Sequence, residues 1–171
     1  MIPNNSIAIN AALKKIFHLA DELAFPQNIK PIDFFNLLPE VAKSVDILIR
    51  YFSRLQAILP RGDRTREEFA RAHITLCKIS FNFEHAMAAA EEDMDRDEKE
   101  ELGFILADKF IKSVKTIREI VHQHMLFVKT NADNFSEHAP THLPKSFLKQ
   151  MVGKLMAQEE KAALTVSSAP N

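Results

Sequence analysis

Apolar residues recur along this chain at alternating steps of three and four, the spacing of one face of an α-helix. Ile9, Leu13, Ile16, Ala20 and Leu23 form the first such stripe and predict a helix from about Ser6, a suitable N-cap, to Phe25. Pro26 and Pro31 then bound a connector. Ile32 to Leu38 (IDFFNLL) reads as a short apolar turn or helix ended by Pro39. Pro39 suits the first position of a second long helix, where its missing N–H costs nothing. That helix carries Val41, Val45, Leu48, Phe52, Leu55 and Leu59 on one stripe and stops at Pro60-Arg61-Gly62.

Asp63 is the next expected N-cap, with Glu67 and Glu68 favourably opposed to the helix dipole in the first turn. The third long helix should reach about Glu92, with Phe69, His73, Leu76, Ser80, Phe83, Met87 and Ala90 on its stripe. A polar hinge, EEDMDRDEKEE, follows. The fourth long helix starts near Asp95 or Asp97 and places Gly103, Ala107, Phe110, Val114, Ile117, Val121, His124 and Val128 inward. Small residues at 103 and 107 let a neighbouring helix come close. Residues 129 to 144 read as a loop, and Lys145 to about Lys161 as a last amphipathic helix.

The chain has 3 glycines in 171 residues and no proline between 61 and 139, so the turn residues a sheet needs are missing. The expected fold is all-α: an up-down helical bundle of four long helices plus a short apolar helix and a C-terminal amphipathic helix. The 3-4 stripes favour coiled-coil-like packing at about 20°. The expected domains are a bundle over 1–140, a C-terminal amphipathic helix over 141–162 that docks on the bundle or on a partner, and a disordered tail over 163–171.

Charge narrows the partners. Lys plus Arg number 22 against 23 Asp plus Glu, without the basic excess that nucleic-acid binding requires, so no nucleic acid is expected. A single cysteine excludes an intramolecular disulfide framework and a thiolate-rich zinc site, and suits a reducing compartment. No apolar run approaches the roughly 20 residues of a membrane span. The N-terminus has no basic start, apolar run and small-residue cleavage site in series. The expected location is the cytoplasm, with export as an effector without a cleavable signal left open.

The most unusual feature is polar residues inside an apolar face. His73, Cys77, Ser80 and Glu84 fall within about 60° of one another at 100° per residue. His124 falls mid-stripe on the next helix. An unpaired buried carboxylate costs several kcal/mol, so Glu84 must be protonated, paired or facing a cavity. One reading is a buried polar site, for a ligand or a metal, around His73, Glu84 and His124. The other is a hydrogen-bonded structural network. The Glu-x-x-His pairs of di-metal bundles are missing, so no metal or other cofactor is expected.

Three other patterns are weaker. His85, on the polar face with Lys78 and Asn82 and followed by Ala86, Ala88 and Ala89, resembles the phosphoacceptor of histidine phosphotransfer domains. It departs from them where Ala88 stands in place of the usual lysine. Arg118 and His124 have a spacing similar to that of helical ribonuclease-like toxin domains, a pairing common by chance on long helices. Asp93, Asp95 and Asp97 begin like a calcium loop, but Glu98 and Phe104 occupy the places of its glycine and last glutamate.

Two apolar segments suit recognition by packing. One is Phe34, Phe35, Leu37 and Leu38. The other is the C-terminal helix, with Phe147, Met151 and Leu155 beside Lys145, Lys149 and Lys154. The expected function is therefore binding, to another protein or to a second copy, as an adaptor, regulator, chaperone or inhibitor. No catalytic residue is assigned, and an enzyme is the less favoured reading.

Overall fold

Two of the long helices start where an aspartate stands in for the hydrogen-bond partners the first turn lacks, and another starts on a proline, which has no N–H to satisfy. The computed structural model describes residues 5–25 and 28–133 in five helices. These are α1 (Asn5–Ala24), α2 (Pro31–Ala57), α3 (Arg64–Ala90), α4 (Arg96–Gln123) and α5 (Met125–Ala132). The described residues are mostly helical and contain no strand, so the chain is all-α. At the head of α3 the Asp63 carboxylate accepts from the Thr65 backbone N–H at 2.8 Å. At the head of α4 Asp95 and Glu98 form a reciprocal capping box, at 2.8 and 3.2 Å. The α2–α3 turn uses Gly62 at φ +84°, and the Arg66 guanidinium donates back to the Leu59 carbonyl at 3.1 Å. The C-terminal segments 141–162 and 163–171 lie outside the described residues.

Two boundaries differ from expectation. Ile32 to Leu38 is not a separate element: α2 begins at Pro31 and runs through Pro39. An interior proline costs a helix about 3 kcal/mol. The continuous stripe of Phe34, Leu38, Val41, Val45, Leu48, Phe52 and Leu55, all buried, offsets that cost, while Pro39 faces outward. The fourth helix does not run on through Val128. It ends at Gln123, His124 leaves helical geometry at φ −119° and ψ 28°, and α5 carries the chain to Ala132, so residues 129–132 are helical rather than loop.

Helix α2 is central and touches each of the other four. Helix α3 packs on α2 and α4, while α1 packs on α2, α4 and α5. Aromatic rings fix the register. Phe34, Phe83 and Phe110 meet at 5.5–6.0 Å between centroids. Farther along, Phe52 meets Phe69 at 5.9 Å, and Phe69 meets His124 at 5.4 Å. Partners on α3 therefore fall from 83 to 69 as α2 climbs from 34 to 52 and α4 climbs from 110 to its end. Gly103 provides the close approach expected of a small residue. A Cβ there would stand 2.3 Å from the Pro31 carbonyl oxygen, so the head of α2 is pressed against the α4 backbone.

Candidate functional site

The buried polar set does not converge. His73 is 5% exposed and its Nε2 has no hydrogen-bond partner. Burial holds the imidazole below its ordinary pKa, so it is neutral in the fold. Cys77, one turn on, is also buried. Burial first, and the Asp46 carboxylate second, push its thiol up to about 12, which makes it an unreactive thiol. Ser80 and Glu84 are half-buried. Glu84 stands about 16 Å along α3 from His73 at 1.5 Å per residue, too far to share a ligand.

His124 finds a different partner. Its Nε2 pairs with a carboxylate oxygen of Glu68, in the first turns of α3, and both side chains are largely shielded. The sequence reading missed Glu68, although a signal existed. Helices joined by a short connector run in opposite directions, which sets the end of α4 beside the start of α3 and keeps it away from Glu84. Around this pair Phe127 stacks on Phe69 at 5.6 Å, and the buried Tyr51 hydroxyl donates to the Val128 carbonyl. Burial, then the Asp133 carboxylate, raise the Tyr51 pKa, so the phenol stays a donor. His124, Tyr51 and the aromatic rings together seat α5 on the bundle.

Arg118 and His124 serve different neighbours. The Arg118 guanidinium donates to the Asp21 carboxylate at 2.8 Å and to the Phe17 carbonyl at 2.9 Å, and lies 5.0 Å over the Phe17 ring, all on α1. His124 faces α3, so the two form no common site. His85 is exposed on α3, its ring parallel to that of Phe81 at 6.2 Å. Among the described residues no group of three or more His, Cys, Asp or Glu is placed to hold a metal ion. A cleft between α3 and α4, lined in part by Phe83, Lys109 and Phe110, has room for one water (about 10 Å3), against the roughly 300 Å3 or more of small-molecule pockets.

The orphaned Nε2 carries a pH prediction. The unfolded chain takes up a proton near pH 6.5, whereas the buried ring takes it up only at lower pH. Stability should therefore be level above that value and fall as the pH drops below it, by up to about 1.4 kcal/mol per pH unit. In His73→Leu this acid-side slope should shrink, with stability at pH 7.5 unchanged or higher, since an unsatisfied buried nitrogen is removed. Urea midpoints of both proteins at pH 7.5 and 5.5 check this.

The recognition residues are placed differently from expectation. Phe34, Phe35 and Leu38 are buried in the chain's own core, with Leu37 packed at its margin, so they present no free face. Phe147, Met151 and Leu155 lie outside the described residues. The exposed large apolar residues are instead Phe104 (66%) and Ile105 (45%) on α4, Phe25 (68%) after α1, and Ile7, Ile58, Met125 and Leu126 elsewhere. Phe104 and Ile105 immediately follow Gly103, which rests on Pro31. A turn closed by Asn28 N–H to the Phe25 carbonyl at 3.0 Å keeps Phe25 at the same end of the molecule. Exposed carboxylates border this end, from Glu91 to Asp97 and again at Glu100 and Glu101, while beyond the pair Asp108 is bridged to Lys112 at 3.0 Å and Lys109 is exposed. The signal was present in the sequence, because the stripe of Gly103, Ala107 and Phe110 leaves 104 and 105 pointing away from the core. Among the described residues no helix is long and apolar enough to cross a membrane. Set against known proteins, the chain matches no family model, no curated protein and no solved structure at a significant level.

Proposed function

We propose that this chain is a protein-binding module of the cytoplasm: an up-down bundle of four long helices that acts by docking a partner protein, as an adaptor or regulator. One observation carries the reading. Phe104 and Ile105 are consecutive exposed residues in the third turn of α4, with Phe25 toward the same end of the bundle and the exposed Glu100 and Glu101 one turn before them. A lone exposed apolar residue needs no explanation, but an exposed apolar pair next to an acidic stretch, residues 91–101, is a feature of interaction sites. The chemistry favours an amphipathic helix with basic flanks, which would bury its apolar side on Phe104 and Ile105 and set its lysines or arginines against that acidic stretch.

The test uses the full chain. Phe104→Glu with Ile105→Glu should leave helix content and unfolding midpoint nearly unchanged, since neither side chain is in the core. Its affinity for the physiological partner, recovered by cross-linking and mapped by mass spectrometry, should fall about thirtyfold or more, as expected of central interface residues. A partner that cross-links elsewhere and binds the double variant equally well would overturn the proposal.

A further inference from the structure

We infer that the first occupant of the α4 surface is the chain's own C-terminal segment, residues 145–161, docked in the same molecule. The inference rests on reading Phe104 and Ile105 as a binding surface and adds how that surface is regulated. Three observations on this chain carry it.

The first is chemical fit. Written as a helix, KSFLKQMVGKLMAQEEK places Phe147, Met151 and Leu155 on one side, with Lys154 at the edge of that stripe and Lys145 and Lys149 on the faces beyond it. An apolar stripe on a basic segment complements an exposed apolar pair that follows Glu100 and Glu101. The second is the sign of charge along the chain. The carboxylates are concentrated in residues 91–101, where eight acids face only Arg96 and Lys99, whereas the first ten residues of the segment carry three lysines and no acid. The third is reach. Phe104 and Gln123 are about 29 Å apart along α4. Helix α5 folds back onto α1, α2 and α4 rather than projecting away. From its end, residues 134–144 can extend about 36–40 Å, enough to return residue 145 to the Phe104 end of the same chain. A tether of that length favours the intramolecular site over a second copy at ordinary protein concentrations, because its effective concentration is in the millimolar range.

Docked in this way, the segment covers the surface that a partner needs. A competing basic helix must displace it, and its apparent affinity is reduced by the fraction of chains in which the site is free. Attraction between lysines and exposed carboxylates is screened over about 10 Å at 0.1 M salt, so the cover loosens as ionic strength rises.

Cysteine-pair cross-linking on the full chain tests the inference, with Cys77 buried and each single variant as a control. Glu101→Cys or Asp108→Cys is combined with Lys149→Cys or Lys154→Cys, and bridged by a short bis-maleimide. At least one pair should give a cross-linked monomer. The yield should drop about tenfold or more when Phe104→Glu and Ile105→Glu are added, equivalent to about 1.4 kcal/mol. It should also drop with Lys145→Glu. Absence of any link, or links found only in dimers, overturns docking in the same molecule, and a yield indifferent to Phe104→Glu places the segment elsewhere. The functional reading stands apart from these outcomes: a partner whose binding is lost in the Phe104→Glu, Ile105→Glu variant keeps the surface even when no intramolecular link forms.

Discussion

Phe69→Ala is expected to lower the unfolding free energy by about 3–5 kcal/mol, the range for truncating a fully buried aromatic ring. Natural domains have only about 5–15 kcal/mol in total, so this is a third or more of the margin. The ring has no exposed surface and meets Phe52 of α2 at 5.9 Å, Phe127 of α5 at 5.6 Å and His124 at 5.4 Å. It joins three helices at one point, and the surrounding rings cannot collapse into the space without losing contact with one another. The damage should concentrate on α5, which packs there through Phe127, through the Tyr51 hydroxyl on the Val128 carbonyl and through the Glu68–His124 pair. Denaturant midpoints measure the loss, and amide exchange locates it: amides of α5 should exchange faster by a larger factor than those around Phe34, Phe83 and Phe110. A cost near 1 kcal/mol, the value for an unimportant position, would contradict this packing.

How much of this could be read from the sequence depends on whether the cause was local. The start of α3 was legible because Asp63 caps its own helix and Thr65 supplies the N–H, two residues away. The start of α4 was legible for the same reason, through Asp95 and Glu98. Pro39 misled because a proline reads as a stop when only its own backbone is considered. The stripe from Phe34 to Leu55 holds its steps of three and four across it, and burial along that length decided the outcome. The break at His124 had no local mark, neither proline nor glycine. It accompanies contacts to Glu68 and Phe69, more than fifty residues earlier. The polar site failed on register. Hydrophobic period places His73, Glu84 and His124 on inward faces, but it does not say which turn of one helix meets which turn of the next. Counting outward from the α3–α4 connector supplies that information and sends His124 to the first turns of α3. The surface at Phe104 and Ile105 was open to the same arithmetic, because an apolar pair off the stripe is visible without coordinates.

Gly103→Ala is expected to destabilise the protein by about 1–2 kcal/mol net, although the same change in an ordinary helix interior stabilises by about 1 kcal/mol. The sign turns on one contact. An alanine Cβ would sit 2.3 Å from the Pro31 carbonyl oxygen and 2.9 Å from its carbonyl carbon, both backbone atoms that cannot rotate aside. Pro31 has little freedom to yield, because its ring fixes φ and Phe34, one turn later, is held between Phe83 and Phe110. Overpacking of this kind costs typically 1–3 kcal/mol, and it outweighs the propensity gain. Denaturant unfolding of Gly103→Ala should show a lower midpoint at unchanged slope, and Gly103→Val a lower one still. The same contact holds the head of α2 against the turn of α4 that carries Phe104 and Ile105. Forcing the two backbones apart should therefore weaken docking at this surface even at temperatures where the helices remain folded. A raised midpoint in Gly103→Ala would mean that α2 does not press on α4 here, and the turn that presents Phe104 and Ile105 would lose its backing along with the docking site built on it.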